Sequence, residues 1–183
     1  EVEMVLASQC LVQQRPKTML ITIEGQLDKG VSAKDIALHI LSKIGTNGGT
    51  GHFIEFGGSA ISALSMEGRM SLCNMSIEMG ARGGFIAPDE KVIAYLKGRE
   101  FSPDAAKWEE AVQKWKELFS DPEAKFDKRF DFRAEEMLPM ITFGTNPGMG
   151  IPVSGDIPSA GNYSGQQKQN YIKALEYMGL EEG

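Results

Sequence analysis

Two polar residues four positions apart, Asn74 and Glu78, lie in a run otherwise rich in Met, Leu and Ile, RMSLCNMSIEMG. At 100° per residue they share a narrow stripe with Glu67 and Ser71. Met66, Met70, Cys73 and Ile77 form one apolar face beside it, and Leu72, Met75 and Met79 form another. A carboxylate can take up or return a proton, and an amide next to it can hold a hydroxyl or carboxylate oxygen by hydrogen bonding. Buried without partners, both groups are costly. From spacing alone the stripe reads either as an internal polar network or surface groove, or as a functional site, on a helix expected to run from 66 to 79 and to be buried on two sides.

Other residue types with chemical potential carry less. Cys10 and Cys73 are 63 positions apart, outside any C-x-x-C pair, and have no metal-ligand spacing. They are expected to be buried or half-buried structural thiols. His39 follows Asp35 by four residues on the side of its helix away from the isoleucines and is expected to be solvated. The Gly-rich segment GTNGGTG (45–51) joins a helix to a following strand, whereas a phosphate cradle joins a strand to a following helix, so no nucleotide site is expected there.

These residues need a framework, and the sequence describes one. TMLITIE (18–24) reads as a buried strand closed by Gly25. Ser32 and Asp35 form a capping-box pattern for a helix over 32–44, which Gly45 stops. HFIEF (52–56) is a second strand, completing a strand–helix–strand unit. FIA (85–87) is a brief strand, and Pro88 opens a helix to Lys97. A helix over 102–119 carries Trp108, Val112, Trp115 and Phe119 as a packing stripe. KRFDFR (128–133) alternates like an exposed strand, and 138–143 is a strand leading into a turn-rich linker over 144–165. The tail, 166–179, is an amphipathic helix. The expected class is α/β: a three-layer domain with a small mixed sheet from strands near 18–24, 52–56, 84–87 and 138–143.

The 183 residues are 42% hydrophobic and 24% charged, enough for one sizeable core. A net charge of −6 without any Lys/Arg cluster argues against a nucleic-acid partner. No apolar run approaches the roughly 20 residues of a membrane span, so a cytoplasmic protein is expected. The opening EVEMVLASQCL has helical spacing with no capping residue ahead of it, and the chain is expected to begin inside a helix, as an excised or proteolytic piece.

The segment 45–99, with SMEGRM, CNMSIE, GAR and APDE in succession, resembles the second domain of the large subunits of isopropylmalate dehydratases and homoaconitases, members of the aconitase family. TFGTNP (142–147) resembles the segment which that family places before its third domain, and EVEMVLASQ resembles the end of its first. The resemblance implies that residues 1–16 end a preceding domain, 17–150 form an α/β domain, and 151–183 are a linker and the start of the next. It also implies a hydro-lyase acting on a small hydroxy-dicarboxylic acid, isomerising 2-isopropylmalate and 3-isopropylmalate in leucine biosynthesis with a separate small subunit as partner. A four-iron, four-sulfur cluster on three cysteines is the implied cofactor of the full-length enzyme. None of those cysteines is matched here, so neither a cluster nor activity is expected of this chain alone. Asn74 and Glu78 match the family's asparagine near the cluster and its glutamate in the iron-bound water region. The alternatives are a homoaconitase- or aconitase-like domain, or a non-catalytic scaffold acting through Trp108 and Trp115.

Overall fold

A computed structural model of the chain describes residues 2–183. Its centre is β1 (Lys17–Glu24), whose alternate residues Met19, Ile21 and Ile23 are fully buried. That period of two faces a helical layer, because β1 pairs in parallel with β2 (His52–Gly57) on one side and β4 (Lys128–Arg133) on the other. β3 (Gly83–Phe85) joins the far edge of β2, giving the order β3-β2-β1-β4. The expected pairing of 18–24 with 52–56 is present.

The class is α/β, as expected, but two features of the sheet differ. All four strands are parallel, and antiparallel pairing is confined to a separate hairpin of β5 (Met140–Thr142) and β6 (Gly150–Pro152). The fourth place in the sheet belongs to 128–133 rather than 138–143. KRFDFR serves there because Phe130 and Phe132 lie in register with Ile21 and Ile23 and pack on the same core, while the charged residues between them face away.

α2 (Ala33–Ile44) crosses from β1 to β2. Ser32 and Asp35 make the expected capping box, and Gly45 closes the C-terminus by donating its N–H to the Leu41 carbonyl. Ile36, Ile40 and Leu41 of α2 join Ile54 and Phe56 of β2 and Ile61 of α3 (Ser59–Ala63) in one core. Fully burying each such side chain is worth about 1.5–3 kcal/mol. The opposite face of the sheet is half-open, with Phe53 42% exposed.

His39 contradicts its expected surface position. It is 7% exposed and meets Phe132 edge-on at 5.9 Å between ring centroids, because α2 buries almost its whole circumference: β4 lies beside His39 and the β5–β6 hairpin packs on the helix as well. Cys10 also departs from expectation. It is exposed, since it follows α1 (Val2–Ser8), a helix with no buried residue. Cys73 is half-buried.

α5 (Glu90–Leu96) starts after Asp89, whose carboxylate accepts from the Lys91 and Val92 N–H groups, so Pro88 precedes the cap rather than opening the helix. α6 (Ala105–Lys116) is capped by Asp104 and carries Trp108 and Trp115 edge to face. Residues 144–165, expected as a linker, contain β6 and fold against α7 (Gly165–Met178). A second small core forms there from Phe143, Ala160, Tyr171 and Leu175.

Candidate active site

The element bearing Asn74 and Glu78 is not the single helix that the spacing suggested. α4 (Met66–Met75) begins at Ser65, whose hydroxyl accepts from the Gly68 N–H at 3.1 Å. After Met75 it tightens into a 3-10 turn, Ser76–Met79, that ends at Gly80 with φ 77°. Leu72 and Met79 are buried, but Met70 is 49% and Ile77 63% exposed, so α4 is buried on one side only. The cause is the parallel sheet: one face of α4 lies against α2 and β3, and no element covers the Met70–Ile77 side among the described residues.

Glycines set how close this element can come to its neighbours. A Cβ on Gly84 of β3 would lie 2.9 Å from the Cys73 Cα and 3.0 Å from the Ser76 hydroxyl, so the strand backbone touches the end of α4. The Gly-rich loop 45–51 packs on the 3-10 turn, and the Gly49 N–H donates to the Met79 carbonyl at 2.8 Å. A Cβ on Gly49 would meet that oxygen at 3.0 Å. The loop therefore holds the turn that carries Glu78.

Asn74 and Glu78 are both exposed, and neither side chain hydrogen-bonds within the chain among the described residues. Together with Ser71, Lys34 and Leu38 they line a cleft of ≈ 590 Å³. Its other wall is the loop after β5, including Thr142, Thr145 and Asn146. Asp35 positions that wall: one carboxylate oxygen accepts from the Met140 N–H at 2.7 Å, the other from the Ser32 N–H at 2.7 Å and hydroxyl at 2.6 Å. Partial burial opposes the Asp35 charge, but these bonds outweigh it and hold the carboxyl below its ordinary range. The Asn146 side chain accepts from the Gly148 N–H at 2.9 Å, fixing the turn. Thr145 and Asn146 also line an adjoining cleft of ≈ 760 Å³, bounded by Tyr163, Asn170 and Lys173.

The structure thus brings together two segments far apart in the chain, the Asn74/Glu78 stripe and TFGTNP (142–147). It leaves Glu67 exposed on α4 and outside the residues lining the cleft. Sequence reading passed over Lys34, Thr145 and Asn146 as cleft residues; the run of turn-forming residues after β5 was the available signal. It also passed over Arg69, 3% exposed, whose guanidinium donates to both Asp89 oxygens at 2.8 and 2.6 Å and to the Ser62 carbonyl at 2.8 Å. A lone cation between Gly68 and Met70 was the hint. Lys91 adds its ammonium to the carbonyls of Ser62, Ala63 and Leu64, so α3, α4 and α5 are tied at one point.

Compared with known proteins, the chain matches the aconitase family (aconitate hydratase) over residues 1–183. It belongs to the aconitase family. It is 56% identical over 183 residues to the 3-isopropylmalate dehydratase large subunit of Bacteroides fragilis, covering 100% of this chain and 39% of that protein. Identity to the protein of the same name from Cytophaga hutchinsonii is 57%, with the same coverage. For Azotobacter vinelandii it is 54% over 181 residues, covering 98% of this chain and 38% of that protein. The chain spans about two-fifths of the length of these aconitase-family relatives. No helix is long and apolar enough to cross a membrane among the described residues.

Proposed function

We propose that this chain supplies one wall of the active site of a hydro-lyase, the large subunit of a 3-isopropylmalate dehydratase. The enzyme interconverts 2-isopropylmalate and 3-isopropylmalate in leucine biosynthesis by removing water and adding it back at the neighbouring carbon. The observation that carries the reading is the meeting of Asn74 and Glu78 with the 142–147 loop across an open cleft, each side chain without a hydrogen-bond partner among the described residues. Identity of 54–57% to the relatives named above supports it.

Loss of water from a hydroxy acid breaks the C–O bond, with a proton delivered to the departing hydroxyl, and the neighbouring C–H bond, whose proton passes to a base supplied by another part of the enzyme; adding water back reverses both. Glu78 holds the proton of the departing hydroxyl, as carboxylic acid in one direction and carboxylate in the other. The Asn74 amide donates to the hydroxyl or a substrate carboxylate and fixes its orientation. The 142–147 loop closes the opposite side of the substrate.

The family's iron–sulfur cluster needs three thiolates. This chain has Cys10, exposed, and Cys73, half-buried, and among the described residues no three His, Cys, Asp or Glu side chains gather as a metal site. These residues do not fit a cluster ligand set. In the proposed enzyme the cluster is held by other parts of the polypeptide, and this chain contributes proton handling and orientation. Residues 17–150 are its α/β domain, 1–16 end a preceding domain, and 151–183 lead into the next. A small subunit completes the cleft, and the enzyme works in the cytoplasm.

The test is Glu78→Gln in the complete large subunit assembled with its small subunit. Turnover should fall roughly 10²- to 10⁴-fold, while the melting temperature stays within error because the side chain is exposed. A variant that melts early but turns over normally per folded molecule assigns Glu78 a structural role and ends the proposal.

A further inference from the structure

Beyond that cleft, and sharing no lining residue with it, a second concave site lies at the N-terminal ends of the strands. Lys17 opens β1 and pairs in register with His52, which opens β2. Arg82 immediately precedes β3, in which Gly83 pairs with Phe53, so Arg82 falls beside His52 in the next strand. Main-chain bonds fix the row: the Lys17 N–H donates to the Gly51 carbonyl at 3.0 Å and the Arg82 N–H to the His52 carbonyl at 2.8 Å. Lys17, His52 and Arg82 thus stand across three adjacent strands, spaced about 4.8 Å apart. With Arg15 and Thr50 they line a pocket of ≈ 310 Å³.

Among the described residues none of Arg15, Lys17 and Arg82 forms an ion pair, and the Arg82 guanidinium donates only to the Gln13 side-chain oxygen, at 3.3 Å. The carboxylate that feels Lys17 and His52 is Asp127, and it is already engaged by the Thr18 N–H at 2.8 Å and hydroxyl at 3.2 Å. His52 is 5% exposed, and its Nδ1–H donates to the Thr50 carbonyl at 2.9 Å, which fixes the ring in place. In a chain of net charge −6, three cations around one concavity with no carboxylate in its lining are a local reversal of sign.

We infer that this pocket binds a small oxyanion, a phosphate or carboxylate group, between the Arg15, Lys17 and Arg82 side chains and over the His52 ring. Guanidinium forks match both groups by paired N–H donors, and the volume suits a small anion rather than a nucleotide. The oxyanion is bound, not transformed.

Calorimetric titration of the whole polypeptide containing this chain with inorganic phosphate, and separately with succinate, tests the site. One saturable equivalent of phosphate is expected at millimolar concentrations. Arg82→Gln and Lys17→Gln should each weaken it about tenfold, whereas Lys17→Arg should retain it. Arg129→Gln, which removes a cation outside the pocket, should leave it unchanged. Succinate binding lost in the same variants supports the same site and makes carboxylates its source; binding by phosphate alone supports it and makes phosphate the source. Absence of binding by both anions, or binding that survives Arg82→Gln, overturns the inference. The outcome does not depend on turnover, so it stands or falls apart from the role of Glu78.

Discussion

Arg69 and Asp89, twenty positions apart, hold each other by two parallel bonds of 2.8 and 2.6 Å, with the guanidinium almost wholly out of water. Asp89 also caps α5, so one carboxylate joins the helix that bears Asn74 to the next helix.

Removing the cation leaves that carboxylate, itself about two-thirds covered, without its main partner. Arg69→Ala should therefore cost about 2–4 kcal/mol, read as a lower denaturant midpoint with an unchanged slope. Arg69→Lys should recover only part of the loss, because a single ammonium cannot make both bonds.

Acid should loosen the same region. The Asp89 carboxyl is held below its ordinary value of 3.8 chiefly by the Arg69 hydrogen bonds, and Asp35 is held below it by Ser32 and Met140 against the opposing effect of burial. Groups lowered on folding contribute stability that is complete above the unfolded value and lost as pH falls through the folded one. Melting temperature should drop steeply below about pH 4, and the drop should be shallower in Asp89→Asn. An equally steep curve in that variant would place the acid-sensitive groups elsewhere.

His39 predicts a milder loss at higher pH. Burial, then the nearby Lys43 charge, lowers its pKa from 6.5, partly offset by Glu136. Its Nε2 is buried without a hydrogen-bond partner among the described residues. Above 6.5 the ring is neutral in both folded and unfolded chains and contributes no pH dependence. As pH falls below 6.5 the unfolded chain takes up the proton first, and stability declines. His39→Gln should flatten the stability curve between pH 6.5 and the onset of carboxylate titration, and a parallel curve would remove His39 as its source.

Gly84→Ala tests how tightly α4 is placed. The added methyl would press on Cys73 main-chain atoms, which cannot move aside as a flexible side chain could. Destabilisation of about 1–3 kcal/mol is expected. In the proposed enzyme, turnover should fall at permissive temperature, because the end of α4 carries Asn74. Full activity in a destabilised variant would show that the cleft tolerates the shift.

What could be read in the sequence was local. The Ser32/Asp35 box, the Gly45 stop and the period-two burial of β1 each depend on neighbours a few residues away. Asn74 and Glu78 were singled out because four positions bring two residues to one side of a helix, and they still line one cleft despite the tightening at Ser76. The facing wall was beyond reach, since Asp35 ties it in place through a bond 105 positions long. β4 was read as an exposed strand, which its burial pattern bears out, but its place in the sheet was missed because a parallel partner far along the chain leaves no local trace, and the burial of His39 beside Phe132 was missed with it.

The position of β4 also sets the timing of assembly. β1 is made before the other three strands of its sheet, yet the bond that zips its second edge, from the Thr18 N–H to Asp127, spans 109 positions. At about 5–20 residues per second, that edge stays open for roughly 5–20 s of synthesis, with Met19, Ile21 and Ile23 beside it. For that interval the nascent chain presents an apolar strand with one unpaired edge, and chaperone demand should be greatest then.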